Sequence, residues 1–269
     1  MTHRVAPALD FYRRWGIDYA APKGCVLQMG DPLKEKVHVF GVGEDGVLSM
    51  NLKAMRLLQD AEWIFGPERL LAFFPNHDAK KIPIQSDLEK IAEMIQSNLG
   101  RRQMAVLASG DPNFYGIAQG LVAQLGKEAV EILPNVSAMQ LAFARIKESW
   151  EEAYLGSVRN RPIEGVIEPV RHAVKAGILT DAENTPAALA KALLARGIEN
   201  RTAYVCENLG EGDERVTELD LKQLPGRISS SRTILILLDR IKQPSQKPPQ
   251  SDTGKDALST SNHDEEGRI

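Results

Sequence analysis

The chain has 269 residues and carries 33 Lys and Arg against 36 Asp and Glu, a formal net charge of -3, so it can hold one large domain or two smaller ones, each with its own core. The two signs are mixed along the sequence, which leaves no basic field to gather phosphate backbones and argues against nucleic acid as a main partner. No apolar run approaches the roughly 20 residues of a membrane span, the opening "MTHRVAPALDFYRRWG" lacks the apolar core of a signal peptide, and the cysteines Cys25 and Cys206 stand outside any C-x-x-C pattern, so a soluble cytoplasmic protein with reduced thiols is expected.

Residues 1–36 form an extension broken by Pro7, Pro22 and Pro32, whose aromatics Phe11, Tyr12, Trp15 and Tyr19 suit a short docked helix. From Val37 the pattern becomes regular. "KVHVFGVG" reads as a strand ending in a glycine loop, "LSMNLKAMRLLQDA" as a helix with Ser49 as candidate N-cap, and "EWIFG" as a short strand. A helix "SDLEKIAEMIQSNLG", a buried strand "QMAVLAS" and a loop "SGDP" follow. Then come the helix "FYGIAQGLVAQLG" with Pro112 as its starter, the strand "EAVEILPNV" and the helix "SAMQLAFARI". Strands alternating with helices predict an α/β domain with a mainly parallel sheet over residues 37–150.

After Trp150 strands come more densely. "AYLGSV", "KAGILTD" and "RTAYVCENLG" read as strands, "TPAALAKALLARG" as a helix with Pro186 in its first turn, and "RTILILLD" is apolar enough for a central strand. These form a second α/β domain over residues 151–240. The tail, residues 241–269, is polar and proline-bearing and cannot offset its ordering entropy, so disorder is expected there.

Gly41, Gly43 and Gly46 make a literal G-x-G-x-x-G, and Glu68 lies about 20 residues beyond the loop, where a dinucleotide site places its ribose acceptor. Such a loop cradles a diphosphate against a helix N-terminus. Here Glu44 and Asp45 would face that diphosphate, at a repulsion of about 1 kcal/mol or more. A neutral or cationic ligand suits the loop better.

Further turns follow strands, where α/β proteins place ligand sites. "ASGDPNFYG" offers Gly110 and Asp111, "PNVSAMQ" has Ser137 as a cap with the small Ala138 beside it, "TDAENTP" opens a helix, and "CENLGEGDERV" carries Asn208 and Gly210. Each is equally an ordinary capped turn. As a set they surround one interdomain cleft with backbone amides and carbonyls. His38, His77 and His172 have no ligand spacing, so no metal site is expected. Neither a nucleophile elbow nor a Walker loop occurs, which leaves covalent catalysis and phosphoryl transfer without support. Arg159 and Arg161 in "SVRNRP" are either solvated or placed to neutralise a polyacidic substrate.

The ordered series "VHVFGVGEDGVLSMNLKAMRLLQDAEWIFGPERLL", "VLASGDPNFYGIAQGL", "ILPNVSAMQLAFARI", "ILTDAENTPAALAKALLARG" and "VCENLGEGDERVTE" resembles the tetrapyrrole methylase family over about Lys36 to Asp239. Within the family it is most similar to the branch that methylates C5 of precorrin-7 or cobalt-precorrin-7 in cobalamin biosynthesis. The resemblance implies two α/β domains with S-adenosylmethionine in the interdomain cleft, a tetrapyrrole substrate and a homodimer. It assigns cofactor contacts to Ser109, Gly110 and Asp111 with Phe114 alongside, to Ser137 and Ala138, and to Thr185 and Gly210. The loop holding Gly41 and Gly43 becomes a wall of the cleft; many relatives have G-x-G-P-G there, and "GVGEDG" suits the C5 branch. A sulfonium has no phosphates to repel Glu44 and Asp45. Asp45, Asp111 and the Arg159 region are the candidates for assisting loss of a proton after methyl transfer. Some pathway enzymes fuse this part to a decarboxylating C15-methylating module, and here that step is expected to fall to a separate protein. The competing readings are a methylase acting on another tetrapyrrole carbon, on a diphthine precursor or on ribosomal RNA, and a nicotinamide-dependent dehydrogenase.

Overall fold

The computed structural model describes residues 36–84 and 87–241. The expectations for Cys25, for the extension before Lys36 and for the tail beyond Ile241 lie outside the described residues. Among those described, no helix is long and apolar enough to cross a membrane.

The first sheet contains β1 (Val37–Val42), β2 (Trp63–Gly66), β3 (Lys80–Pro83), β4 (Met104–Ser109) and β5 (Val130–Leu133), in the order β3-β2-β4-β1-β5. All its pairings are parallel. Every residue of β1 is buried, as a parallel strand covered on both faces requires. Alternate residues serve alternate faces. Phe40 and Val42 join Met55 and Leu58 of α1 (Leu52–Gln59) and Leu70 of α2 (Glu68–Leu71). Val37 and Val39 join Ile91 and Ile95 of α3 (Leu88–Gln96) and Leu121 of α4 (Ala118–Leu125).

The second sheet is mixed. β6 (Tyr154–Ser157), β7 (Lys175–Leu179), β8 (Arg201–Glu207), β9 (Arg215–Asp220) and β10 (Thr233–Asp239) take the order β6-β7-β10-β8-β9. β6 and β7 are parallel, and the remaining pairings are antiparallel. β10 sits in the centre with all seven residues buried, where its apolar run "TILILLD" belongs. α6 (Glu164–His172) and α7 (Pro186–Leu194) cover one face through Val166, Ile167, Val170, Leu189 and Leu193. The sequence reading assigned no element to α6, which carries Pro169 in its interior.

The other face of this sheet is covered by α5 (Ala138–Ile146), which follows β5 of the first sheet. Met139, Ala142 and Phe143 pack on Leu179, Cys206, Ile234, Ile236 and Leu238. Gly177 makes the approach possible, because a side-chain carbon there would lie 2.4 Å from Met139 Sδ and 3.0 Å from Phe143 Cε2. Within this core the Cys206 thiol is pushed up to about 12, chiefly by burial and further by Glu214 and Glu207.

At the C-terminal ends of the first sheet, neighbouring backbones nearly touch. Gly110 N donates to Val42 O at 2.8 Å and Asn135 N donates to Gly110 O at 3.2 Å. A Cβ on Gly41 would stand 2.0 Å from Gly110 O. Replacing Gly41→Ala should therefore destabilise the protein by about 3 kcal/mol, the upper range for overpacking against backbone, read as a lowered urea midpoint at unchanged slope.

At the opposite end of β1, His38 is 6% exposed. Its ring stacks 6.0 Å from Phe40, Nε2 has no hydrogen-bond partner, and Glu131 Oε2 is 3.6 Å away. Burial pulls its pKa below the usual 6.5, outweighing the opposite pull of Glu131. Below that value the unfolded chain binds a proton that the fold resists, so stability should fall as pH drops from about 6.5. The variant His38→Gln should flatten this acid limb in urea titrations run between neutral and mildly acidic pH; an unchanged slope would show that His38 does not cause it.

Candidate functional site

Parallel strands release their following loops at one edge, and the site grows from those after β1, β4 and β5. The glycine turn after β1 is closed by its own atoms. Gly46 N donates to Gly43 O at 3.0 Å, while Ser49 Oγ accepts from Gly43 N at 2.8 Å and donates to Gly46 O at 2.7 Å. Ser49 is thus the clasp of the turn and not the expected helix cap. That cap is Asn51, whose side chain accepts from Ala54 N at 2.9 Å as α1 begins at Leu52. Gly46 is followed by a 3-10 turn, Val47–Ser49, instead of an α-helix N-terminus. With Cβ positions at Gly43 and Gly46 blocked by Ser49 and Phe73, the loop lacks the open amides of a diphosphate cradle, which removes the basis of the dinucleotide reading.

Asn135 ties this turn to the next strand end. Its Nδ2 reaches Gly41 O at 3.2 Å, Ser49 O at 2.9 Å and Ser49 Oγ at 3.2 Å. Its importance was missed in the sequence, although an amide just past an apolar strand is a usable signal. Two residues on, Ser137 is buried and forms a capping box with Gln140, accepting from Gln140 N at 3.2 Å while Gln140 Oε1 accepts from Ser137 N at 2.8 Å. Ala138 is the first residue of α5.

The loop after β4 arches across to the second sheet. Asp111 Oδ1 accepts from Asn113 N at 2.9 Å, forming an Asx turn. Helix α4 starts only at Ala118, so Pro112 lies in the turn and does not open the helix as expected. Between them Tyr115 takes a left-handed backbone, φ 53. Its hydroxyl donates to Leu155 O at 3.3 Å, and Arg161 lies 5.1 Å above its ring, a cation–π contact. Phe114 meets Tyr115 edge-on at 5.1 Å and packs against the α5 cluster.

From the second sheet, β6, β7 and β8 point the same way, so their loops leave one edge. Arg159 Nε donates to Thr180 O at 2.9 Å. Burial lowers the pKa of its guanidinium; Asp181 opposes this and nearby Arg232 adds to it. Thr185 Oγ1 accepts from Ala188 N at 3.1 Å, capping α7. Gly210 crosses to the first half: a Cβ built there would lie 2.7 Å from Glu44 Cβ.

Around that crossing lies a charge network that sequence reading did not find. Arg69 Nη1 bonds Glu44 Oε2 at 2.6 Å, and its Nη2 donates to Ser109 Oγ at 2.9 Å. Arg232 stands 3.7 Å from the same Glu44 oxygen and pairs with Glu211, which is also 4.0 Å from Arg69. Glu44 therefore turns to two arginines, whereas Asp45 is exposed at the tip of the turn. The predicted residues Gly41 and Ser109 at strand ends and Gly43, Gly110, Ser137 and Gly210 in turns are thus joined by direct contacts, with Asp111 and Phe114 in the loop after β4 and Ala138 opening α5.

The donor set suits a cationic, partly apolar cofactor better than a phosphate-bearing one. Leu48, Val136 and Tyr115 leave 72%, 49% and 44% of their surfaces exposed on the three loops, offering apolar area beside the carboxylates of Asp45 and Asp111. Among the described residues no cluster of His, Cys, Asp or Glu could hold a metal ion.

The sequence profile of the Tetrapyrrole (Corrin/Porphyrin) Methylases matches residues 36–225. The cobalt-precorrin-7 C(5)-methyltransferase of Salmonella typhimurium is 33% identical over 178 residues, covering 66% of this chain and 87% of that protein. The precorrin-6Y C(5,15)-methyltransferase [decarboxylating] of Sinorhizobium sp. is 32% identical over 66% of this chain but only 43% of its own length. Among solved structures, the cobalamin biosynthesis precorrin-6Y methylase of Archaeoglobus fulgidus superposes with a TM-score of 0.59 at 19% identity, covering 76% of this chain and 98% of that one. A match that runs from β1 through β9, joined to the shared fold, leads to one conclusion: the chain belongs to the tetrapyrrole (corrin/porphyrin) methylase family.

Proposed function

We propose that this protein is an S-adenosylmethionine-dependent methyltransferase acting on C5 of precorrin-7 or cobalt-precorrin-7 in cobalamin biosynthesis. The observation that carries the reading is the 33% identity to a relative named for that reaction, over 87% of its length. The closed glycine turn, which offers no diphosphate cradle, supports it. C15 methylation and decarboxylation, named in a relative that the chain matches over only 43% of its length, are assigned to a separate protein, and the enzyme acts as a homodimer.

S-adenosylmethionine supplies a methyl group on a positively charged sulfur, open to in-line displacement by a ring carbon. The protein's work is alignment and exclusion of water, which can supply about 7–11 kcal/mol when the reacting atoms are well held. The backbone at Ser109, Gly110 and Asp111, with Phe114, Ser137, Ala138, Thr185 and Gly210, surrounds the cofactor, and the wall containing Gly41 and Gly43 keeps its place through Asn135. With Asp111 Oδ1 fixed by Asn113 N, its second oxygen serves as the acceptor toward bound ligand. Asp111 and the exposed Asp45 are the carboxylates assigned to proton transfer after methylation.

Calorimetry should find micromolar binding of S-adenosylhomocysteine, about -8 kcal/mol, with no heat from NAD; the reverse pattern would overturn the assignment. Mass spectrometry should find cobalt-precorrin-7 heavier by one methylene after incubation with S-adenosylmethionine. Because asparagine preserves the Asx turn, Asp111→Asn should lower kcat about 100-fold, the low end for removing a proton-transfer group, at unchanged thermal stability. Retained kcat would remove Asp111 from that role.

A further inference from the structure

The network beside the crossing of Gly210 over Glu44 joins Glu44 and Arg69 of the first half to Glu211 and Arg232 of the second. The side chains are partly accessible, at 16% for Glu44, 33% for Glu211, 37% for Arg69 and 36% for Arg232. Pairs this open to water add little stability, so holding the halves together is a poor account of four charged groups at one point. α5 already joins them through a buried apolar face. A guanidinium fork, in contrast, matches a carboxylate in charge and in geometry.

Precorrin intermediates carry acetate and propionate side chains around the ring. A macrocycle entering between the halves brings these carboxylates toward Glu44 and Glu211, which would repel them, and toward the two arginines, which would not. Resting on the function proposed above, we infer that Arg69 and Arg232 form the receptor for a peripheral carboxylate of the substrate, and that Glu211 with Glu44 holds their place until it arrives. Binding then exchanges one carboxylate for another. The guanidinium groups stay paired before and after, and the displaced glutamate, already partly accessible, is released to solvent. No covalent bond changes.

Two variants of the full chain separate this role from a latch. With cobalt-precorrin-7 as substrate, Arg232→Gln should raise KM about tenfold, as expected for loss of a charged hydrogen bond, with a smaller change in kcat and an unchanged affinity for S-adenosylhomocysteine. Glu211→Gln removes the competitor and should lower KM by about threefold. Opposite signs support exchange, since a latch would be weakened alike by either change. KM values that rise together, or stay constant while both variants lose thermal stability, overturn it and leave the methyltransferase reading standing. A wild-type protein that binds S-adenosylhomocysteine but fails to methylate cobalt-precorrin-7 overturns the substrate assignment, and the exchange with it.

Discussion

The contact of α5 with the second sheet determines where everything else lies. This helix follows β5, and its first turn, capped by Ser137, stands beside the strand-end loops of the first sheet. Its apolar side nevertheless rests on β7, β8 and β10. Gly177 lets Met139 and Phe143 settle against the strands, each burying a side chain worth about 1.5–3 kcal/mol. Because one rigid element carries both the capped turn and the intersheet core, the loops of the two halves are held at a set separation. The bridges made by Tyr115, Gly210 and the arginine–glutamate network depend on that spacing.

The glycine turn shows how one motif can serve a different end. Its three glycines are enclosed by protein atoms: Gly41 by Gly110 and Asn135, Gly43 by Ser49, Gly46 by Phe73. Small residues are needed there so that backbones can meet, not so that a phosphate can approach. The acidic residues that argued against a diphosphate then have different fates, since Glu44 is drawn to arginine and Asp45 remains at the tip.

Much of this was legible in the sequence. Strands β4 and β10 follow from their apolar runs and β1 from its valines and Phe40 before the glycine loop, and the order of strand-end turns led to the family. What sequence could not yield depends on partners far along the chain. Pairing of Glu44 with Arg232, or of Asn135 with Gly41, leaves no local periodicity. Helix α6 was not assigned from the sequence; it carries Pro169 inside it, whose cost is met by burial of Val166, Ile167 and Val170. The start of α4 was misplaced because Pro112 resembles a helix opener, whereas the chain first turns through a left-handed Tyr115 to reach the second sheet.

Cys206 lies on the strand that leads to Gly210, sealed in the core between α5 and β10. A thiolate is among the best nucleophiles a protein offers, and burial withholds it. With its thiol pushed up to about 12, Cys206 is neutral at cellular pH and out of reach. Placing sulfur there gives the core a small apolar filler, so the burial that packs α5 on the second sheet also keeps the thiol in its unreactive, protonated form.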